Sequence, residues 1–361
     1  MVSNQILQNM LEETSSLTGS TALILDAEGQ RIAEYGKMDE LVTGRALAFL
    51  SSGLKELSEE AYSYYRAVDE ADTSYVIVVD RSTPNAGMTL KLLGNQLEQL
   101  IVAYKERLDR DNFIKNLILD NLLQIDIYNK AKKLHIDSNQ KRAVLIVESG
   151  ATEAWIGDAI RQFLLSSPND FSTNVDEYNI VIIHELKNGQ YPQAELQRFA
   201  SALHEQIREG GAELRISYGA VVDEIREVSK SYKEAKLALD VGKIFNEHKN
   251  VISYTNLGIG RLIYQLPLNL CRMFIKEIFG DRTPDQFDKE TLVTINKFFE
   301  NNLNVSETSR QLFIHRNTLV YRLDKIQKNT GLDLRAFDDA ITFKIALMVV
   351  KYMEYMKKID Y

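Results

Sequence analysis

Apolar and polar positions repeat with two different periods along the first part of the chain. Residues 1–17 carry apolar side chains at helical spacing, whereas 21–36, TALILDAEGQRIAEYG, consist of two short β-rich runs around the turn sequence DAEG. A helical stretch at about 40–60 follows, and the alternation in 63–81 indicates a second hairpin. This order predicts a small mixed α/β unit.

The next segment, from about 88 to 133, is almost continuously helical in pattern. Apolar side chains recur there at spacings of three and four, with charged residues between them. One interpretation is a long connecting helix that forms part of a dimeric coiled coil. The other is two ordinary helices, each of which packs on its own domain.

Strands and helices alternate in the middle of the chain, from about 140 to 255. RAVLIVES, NIVIIHEL and ELRISYGAVV have the composition of strands, and the segments between and after them have the helical period. This alternation predicts an α/β sheet domain. DRTPDQFDKE, at 281–290, has the turn residues of a linker into a last, all-helical module.

Within that last module, a short helix, a tight turn and a longer helix follow one another. SETSRQL predicts the short helix, with Ser306 as its N-cap, and 313–315 form the turn. The longer helix runs from near Arg316 to about Lys328 and ends at Gly331. These are the parts of a helix-turn-helix, a motif that places its second helix in the major groove of DNA.

The apolar and polar positions of the two helices predict two faces. Leu312, Ile314, Leu319, Leu323 and Ile326 are spaced to pack inward. The polar residues are expected on the exposed side or at the helix start, where Arg pairs with guanine, Asn with adenine, and later cations and Tyr with phosphate. The candidate DNA-binding residues are Ser306, Thr308, His315, Arg316, Asn317, Thr318, Tyr321, Arg322 and Lys325.

Charge supports a local interface of this kind. The 361-residue chain has a formal net charge of -8, which argues against a protein that coats nucleic acid along its whole length. The segment 306–328 has the opposite sign, because its cations outnumber its acids. A solvated amphipathic helix, whose cations only complement its C-terminal end, is the alternative interpretation of the same residues.

Several other functional classes find little support in the sequence. The single cysteine, Cys271, lies in an apolar run typical of a buried structural thiol, and fits a reducing compartment. The five histidines have no companion at metal-ligand spacing, and there is no P-loop. No signal peptide or membrane-spanning stretch is recognisable, so we expect a cytoplasmic protein without a membrane partner.

The amino-acid sequence of the last module resembles a known family. VSETSRQLFIHRNTLVYRLDKIQKNTGLDLRAFDDAITFKIAL is similar to the C-terminal domain of the PucR and CdaR (sugar diacid regulator) transcription factors, and the likeness extends over 291–352. The HRNTLxYRL core is diagnostic of that family. The resemblance implies a transcriptional regulator that binds double-stranded DNA through this module.

The resemblance also implies an N-terminal sensor and a middle domain like a degenerate diguanylate cyclase (GGDEF) fold. At the place of the cyclase signature this chain has NVDEY, in which Asn174 and Val175 replace two glycines while Asp176 and Glu177 remain. A cyclase needs glycine there for the approach of GTP phosphates and carboxylates for metal. We therefore expect no enzyme activity, and Asp176 and Glu177 are expected to be turn residues.

The N-terminal unit is expected to resemble PAS or GAF sensors. ALILDAEGQRIAEYG is similar to the opening of the sugar-diacid-recognition domain, which implies a small carboxylate or sugar diacid as effector. Because bidentate arginine is a natural holder of carboxylate, Arg31, Arg45 and Arg66 are the candidate ligand-binding residues. An ordinary surface position is the alternative interpretation for each of them, and the commoner one for an arginine.

The resulting hypothesis is a multidomain α+β, ligand-responsive regulator without a cofactor. It assigns 1–87 to a sensor, 88–135 to connecting helices, 136–282 to the GGDEF-like domain with its linker, and 283–361 to the helix-turn-helix. A homodimer or higher homo-oligomer is expected, since a single half-site carries little sequence information. The alternatives are a nucleotide-signalling protein or GTP receptor built on the middle domain, and an interaction scaffold whose basic helix binds an acidic partner.

Overall fold

The computed structural model describes residues 2–68, 74–149, 154–187, 190–280 and 288–359. The chain divides into two compact units, Met1–Ile114 and Lys115–Tyr361. Among the described residues, no helix is both long enough and apolar enough to cross a membrane.

The first unit is built on a five-stranded antiparallel sheet with the strand order β2-β1-β5-β4-β3. Its elements are α1 (Asn4–Thr18), β1 (Ala22–Leu25), β2 (Arg31–Tyr35), α2 (Leu41–Ser51), β3 (Glu56–Ser58), β4 (Tyr62–Val68), β5 (Ser74–Asp80) and α3 (Ala86–Ile118). Both predicted hairpins are confirmed, as β1–β2 and β4–β5. The predicted helix at 40–60 is wrong in its last part, where β3 pairs with β4.

Helices cover both faces of this sheet, because its central strands are apolar on both sides. Alternate residues of β1 point to opposite faces. Ile24 belongs to the core formed with α1 and α3, whereas Leu23 belongs to the core formed with α2. The first turns of α3 are part of the former core, through Leu90, Leu93 and Leu97, all of them buried.

The helical region after residue 86 consists of two helices rather than one continuous helix. α3 ends at Ile118, and α4 extends over Gln124–Lys133. Between them Asp120 has a left-handed φ of 63°, a conformation that short polar side chains tolerate better than most residues. The amide of Asn121 donates to the carbonyl of Asn116 at 2.9 Å, which ends α3 in a tight turn.

The second unit contains α4 and a mixed sheet of the order β10-β9-β6-β8-β7, in which β10 and β9 are parallel and the other neighbouring strands are antiparallel. Its elements are β6 (Arg142–Ser149), α5 (Ala154–Leu164), β7 (Phe171–Asn174), β8 (Asn179–Glu185), α6 (Pro192–Glu209), β9 (Leu214–Tyr218), α7 (Val228–Phe245) and β10 (Val251–Ser253). α5 and α6 share one core with the sheet, and α7 packs on β6 and β9. Gly219 permits this approach, because a Cβ there would lie 2.0 Å from the Ser231 carbonyl oxygen.

Among the described residues, six helices complete the second unit, and the core that they share also includes Ile244 of α7. They are α8 (Gly260–Tyr264), α9 (Leu268–Phe279), α10 (Lys289–Glu300), α11 (Val305–Gln311), α12 (Arg316–Thr330) and α13 (Phe337–Ile359). Cys271 lies in this core, where burial raises the pKa of its thiol, as expected for a structural cysteine. Most of the predicted linker, 281–287, lies outside the described residues.

Tyrosine side chains connect the sheet domain to these helices within the second unit. The Tyr264 hydroxyl on α8 donates to Asp240 Oδ2 on α7 at 3.1 Å, and its ring lies 5.6 Å from that of Tyr352 on α13. The Tyr352 hydroxyl donates in turn to the Leu266 carbonyl at 3.4 Å. Burial raises the pKa of Asp240, although the hydrogen bond from Tyr264 opposes that shift.

We expect Asp240→Asn to raise the thermal midpoint of the second unit at pH 7 and to have less effect as the pH falls towards 4. The raised pKa means that the folded chain binds the Asp240 proton more tightly than the unfolded chain does. The stability from this group is therefore complete below the ordinary pKa of 3.8 and is lost as the pH rises through the folded value. Asp223→Asn, at a side chain that is 79% exposed, is the control. A midpoint difference that does not change with pH would contradict this account.

Candidate nucleic-acid interface

Side-chain caps define where the helices of the C-terminal module begin. Asp288 accepts a hydrogen bond from the Thr291 amide at 2.6 Å and caps α10, and Asn304 accepts from the Glu307 amide at 3.1 Å and caps α11. His315 caps α12 through its Nδ1, which accepts from the Asn317 amide at 3.2 Å. The prediction of Ser306 as N-cap is therefore wrong, since the cap lies two residues earlier.

A four-residue connection, 312–315, joins α11 to α12 at nearly the predicted place. Phe313 has a left-handed φ of 55°, and its side chain is 96% exposed. The Ile314 amide donates to the Ser309 carbonyl at 3.1 Å, which closes the turn. At the other end of α12 Gly331, with a φ of 77°, ends the helix as predicted.

The apolar stripe of α12 fixes which of its faces is exposed. Leu319, Leu323 and Ile326 are buried in the core of the six helices, as the periodicity predicts. Leu312 and Ile314, at the turn, are only half-buried.

The opposite face of α12 carries the candidate DNA-binding residues Thr318, Tyr321 and Lys325. Thr318, Tyr321, Lys325 and Lys328 follow one another at spacings of three and four, so their side chains share a face. His315, Arg316 and Asn317 are exposed at the start of the helix, and Ser306 is exposed on α11.

Two candidates do not lie on that face. Thr308 is fully buried, and its hydroxyl accepts a hydrogen bond from Asn301 Nδ2 at 3.3 Å. The Arg322 side chain is only 17% exposed, and its guanidinium bonds to α10. The expectation that Arg322 is exposed is therefore wrong. Residue 322 comes three positions after the buried Leu319, nearly one helical turn, so its side chain starts beside the buried stripe and reaches α10.

Ion pairs remove part of the local positive charge. Arg310 forms a two-point ion pair with Glu307, at 3.0 and 2.6 Å. This pair, together with the hydrogen bond from the Gln311 side chain, lowers the pKa of Glu307 to about 2. Asp324 pairs with Arg335 at 3.0 Å. Arg316 and Lys328 form no ion pair with any described residue. Positive charge that is not neutralised thus lies at both ends of the exposed face.

The turn that resembles the cyclase signature is closed by its own aspartate. Asp176 Oδ1 accepts from the amides of Tyr178 and Asn179, at 2.9 and 2.8 Å, and the Asn179 side chain bonds to both carboxylate oxygens. Burial raises the pKa of Asp176, but these hydrogen bonds outweigh it, and the net pKa lies below the ordinary value. A carboxylate held in this way has the role of a turn residue.

The three candidate arginines of the first unit are spread across it. Arg31 on β2 bonds to Glu34 at 3.0 Å and to the Asp39 carbonyl at 3.1 Å. Arg45 on α2 lies 4.0 Å from Glu59. Arg66 is half-buried on β4, which the strands β1 and β5 separate from β2. The strand order therefore keeps Arg31 and Arg66 apart.

Three notable residues were not identified from the sequence. Asn304 could have been, because Asn304 and Glu307 have the spacing of a capping box. The exposure of Phe313 could not, since an aromatic residue in a turn usually signals burial. Glu290, which pairs with Arg322, gave no signal either, because the two residues are 32 positions apart.

Comparison with known proteins identifies the two parts of the second unit. Residues 291–349 match the model of the PucR C-terminal helix-turn-helix domain, and 120–241 match that of the GGDEF-like domain. The carbohydrate diacid regulator of Escherichia coli (strain K12) is 26% identical over 275 residues, which are 73% of this chain and 71% of that protein. The purine catabolism regulatory protein of Bacillus subtilis (strain 168) is 20% identical over 387 residues, or 96% and 71% of the two chains.

The chain belongs to the PucR/CdaR family of transcriptional regulators. It is a DNA-binding regulator, and the resemblance noted in the sequence is confirmed. A further member of this group of relatives, the DNA-binding transcriptional activator AdeR of Bacillus subtilis (strain 168), is 30% identical over 176 residues, which are 46% of this chain and 41% of AdeR.

Among solved structures, a regulator of polyketide synthase expression from Bifidobacterium adolescentis aligns with 67% of this PucR/CdaR-family chain and 91% of its own. Its sequence identity is 15% and its TM-score 0.36.

We expect Asn304→Ala to destabilise the helix-turn-helix by about 1 kcal/mol, because it removes the side-chain acceptor for the Glu307 amide. Ser306→Ala, two residues further along the same helix, is the matched control and should change stability by much less. Chemical denaturation followed by circular dichroism measures both variants. Equal losses in the two variants would contradict the assignment of the cap.

Proposed function

We propose that this regulator recognises its operator with the exposed face of α12 and responds to a small-molecule effector bound by its first unit. The observation that supports the first part is the arrangement of Arg316 and Asn317. Both are exposed in the first turn of α12, and Arg316 has no ion-pair partner among the described residues. The first turn of a recognition helix is the part that reaches base edges.

Different residues of the proposed interface are assigned to different parts of the DNA. Arg316 and Asn317 have the donors and acceptors that read guanine and adenine in the major groove. Ser306, His315, Thr318, Tyr321 and Lys325 are assigned to phosphate and sugar, which position the module without reading sequence. Thr308 and Arg322 are left out, because their side chains are buried or bonded within the protein.

Asn317→Ala is expected to weaken binding to the specific operator by about 1–3 kcal/mol and to leave binding to unrelated DNA almost unchanged, since only base contacts distinguish the two. Arg316→Ala should lower specific binding as well, and should also reduce the dependence of the affinity on salt. Fluorescence anisotropy with both duplexes measures the effects. Lys328→Ala, at the far end of the same helix, is the control for charge alone. Equal losses of Asn317→Ala on both duplexes would contradict base reading.

The four segments of the chain are assigned functions according to the order of their domains. We propose that 1–87 sense the effector, 88–135 connect, 136–282 form the GGDEF-like domain without cyclase chemistry, and 283–361 bind DNA. The helix-covered sheet supports a PAS- or GAF-like sensor. The exposed apolar side chains Met88, Leu92 and Val102 lie on one face of α3 and support a homodimer. The two recognition helices of such a dimer would bind two half-sites of the operator.

The effector is proposed to be a small carboxylate, as the name of the carbohydrate diacid regulator suggests for that relative. Arg66 is the preferred carboxylate-binding residue, because its side chain is half-buried in the sheet, whereas Arg31 and Arg45 are exposed. The nucleotide-signalling alternative is not favoured, since Asp176 closes its own turn and the named relatives are regulators.

A sugar diacid at saturating concentration is expected to raise the thermal midpoint of the wild-type chain, by an amount equivalent to about 2.7 kcal/mol at a hundred times its Kd. Arg66→Gln should abolish this stabilisation, whereas Lys91→Gln, at an exposed position of α3, should not. Purine metabolites tested in the same screen separate the two ligand classes that the names of the relatives suggest. A diacid effect that survives in Arg66→Gln would contradict the assignment of this residue.

A further inference from the structure

Arg322 lies on the recognition helix but bonds to the helix behind it. Its Nη1 donates to Thr294 Oγ1 at 2.9 Å, and its Nη2 forms an ion pair with Glu290. Both partners are on α10, four residues apart, so they lie on the same face of that helix. The planar guanidinium therefore binds two acceptors on successive turns of α10.

The acceptor on Thr294 is held in a fixed orientation. Thr294 is fully buried, and its hydroxyl donates to the Glu290 carbonyl at 2.7 Å. Because that hydroxyl has a single hydrogen, its oxygen lone pairs remain to accept from Arg322. Glu290 thus receives Arg322 at its carboxylate while its carbonyl orients Thr294.

A second, longer-range pairing lies beside the first. Lys325 Nζ is 4.0 Å from Asp288 Oδ2, and Asp288 is the N-cap of α10. The start of α10 therefore presents two acids to one edge of α12. This charge pairing draws the edge that carries residues 322 and 325 towards α10, and leaves the edge with Asn317 and Tyr321 facing outward.

We propose that Arg322 is a positioning residue that fixes the rotation and tilt of α12 through Glu290 and Thr294, without a contact to DNA. The inference rests on the DNA-binding face proposed above. Leu319, Leu323 and Ile326 hold α12 on the core, but apolar contacts are not directional. The two-point guanidinium contact is directional, and base reading requires side chains held to within about 0.5 Å.

A positioning role and a phosphate contact of Arg322 predict opposite changes in DNA affinity when the Glu290 side chain is removed. A carboxylate near DNA repels phosphate, so if Arg322 contacted the backbone, Glu290→Ala would free it and binding would become tighter. If Arg322 positions α12, Glu290→Ala should weaken binding to a specific duplex, by about three- to fivefold because Glu290 is 73% exposed. On a random duplex the same variant should bind as well as wild type or more tightly.

The experiment uses the full chain, a duplex that the wild-type chain selects from a random pool, and an unselected duplex of the same length. Anisotropy titrations over a KCl series give both the affinity and its dependence on salt. Arg322→Gln is expected to lose about tenfold on the selected duplex with an unchanged salt slope. A phosphate contact would instead lower that slope by about 0.9. Thr294→Val should reproduce part of the loss, and Glu290→Ala combined with Arg322→Gln should be no worse than Arg322→Gln alone.

Glu300→Ala is the matched control, because it removes the same charge from the other end of α10, where Glu300 pairs with Lys297 at 2.7 Å. It should not lower the affinity for the selected duplex. Tighter binding of Glu290→Ala to that duplex, or a reduced salt slope for Arg322→Gln, would overturn the proposal. So would equal losses on both duplexes together with a lower thermal midpoint, which indicate a structural role only. Failure of the wild-type chain to select any DNA would instead contradict the proposed operator reading.

Discussion

The burial of Leu319, Leu323 and Ile326 is the constraint on which the proposed DNA-binding face depends. A helix that must bury one stripe exposes the opposite one, so the positions available to DNA follow from the positions required by the core. Asn317, Tyr321 and Lys325 are exposed for this reason. Arg322 is not exposed, because its position lies beside the buried stripe and its guanidinium bonds to acceptors on α10.

The same core connects the DNA-binding helices to the sheet domain of the second unit. α13 belongs to it through Phe343 and Val349, and the Tyr352 ring of α13 contacts Tyr264, which bonds to Asp240 on α7. Packed and hydrogen-bonded side chains therefore join α7 to the helices around α12. Asp176, in the turn that resembles the cyclase signature, is held by hydrogen bonds within its own loop.

The sequence predicted the features that depend on local patterns. The strands β1, β2, β4, β5, β6, β8 and β9, the helix α7 and the left-handed end of α12 at Gly331 lie where periodicity and turn chemistry indicate them. The errors arose where a residue's role depends on contacts distant in sequence. β3 is a strand because it pairs with β4, and Arg322 is held by residues 28 and 32 positions away. Helical spacing alone does not distinguish an arginine that reaches solvent from one that reaches a neighbouring helix.

Counting cations along 306–328 therefore overstates the charge available to DNA. Arg310 is neutralised by Glu307, Arg322 by Glu290, and Lys325 lies near Asp288. Paired cations contribute less to non-specific attraction, because their acids repel the same phosphates. Arg316 keeps its full charge at the helix start, next to Asn317, which forms no side-chain hydrogen bond with any described residue. An interface with few unpaired cations, in which the proposed base-reading groups make no other bonds among the described residues, favours discrimination between sequences over indiscriminate affinity. This agrees with a chain whose net charge is -8.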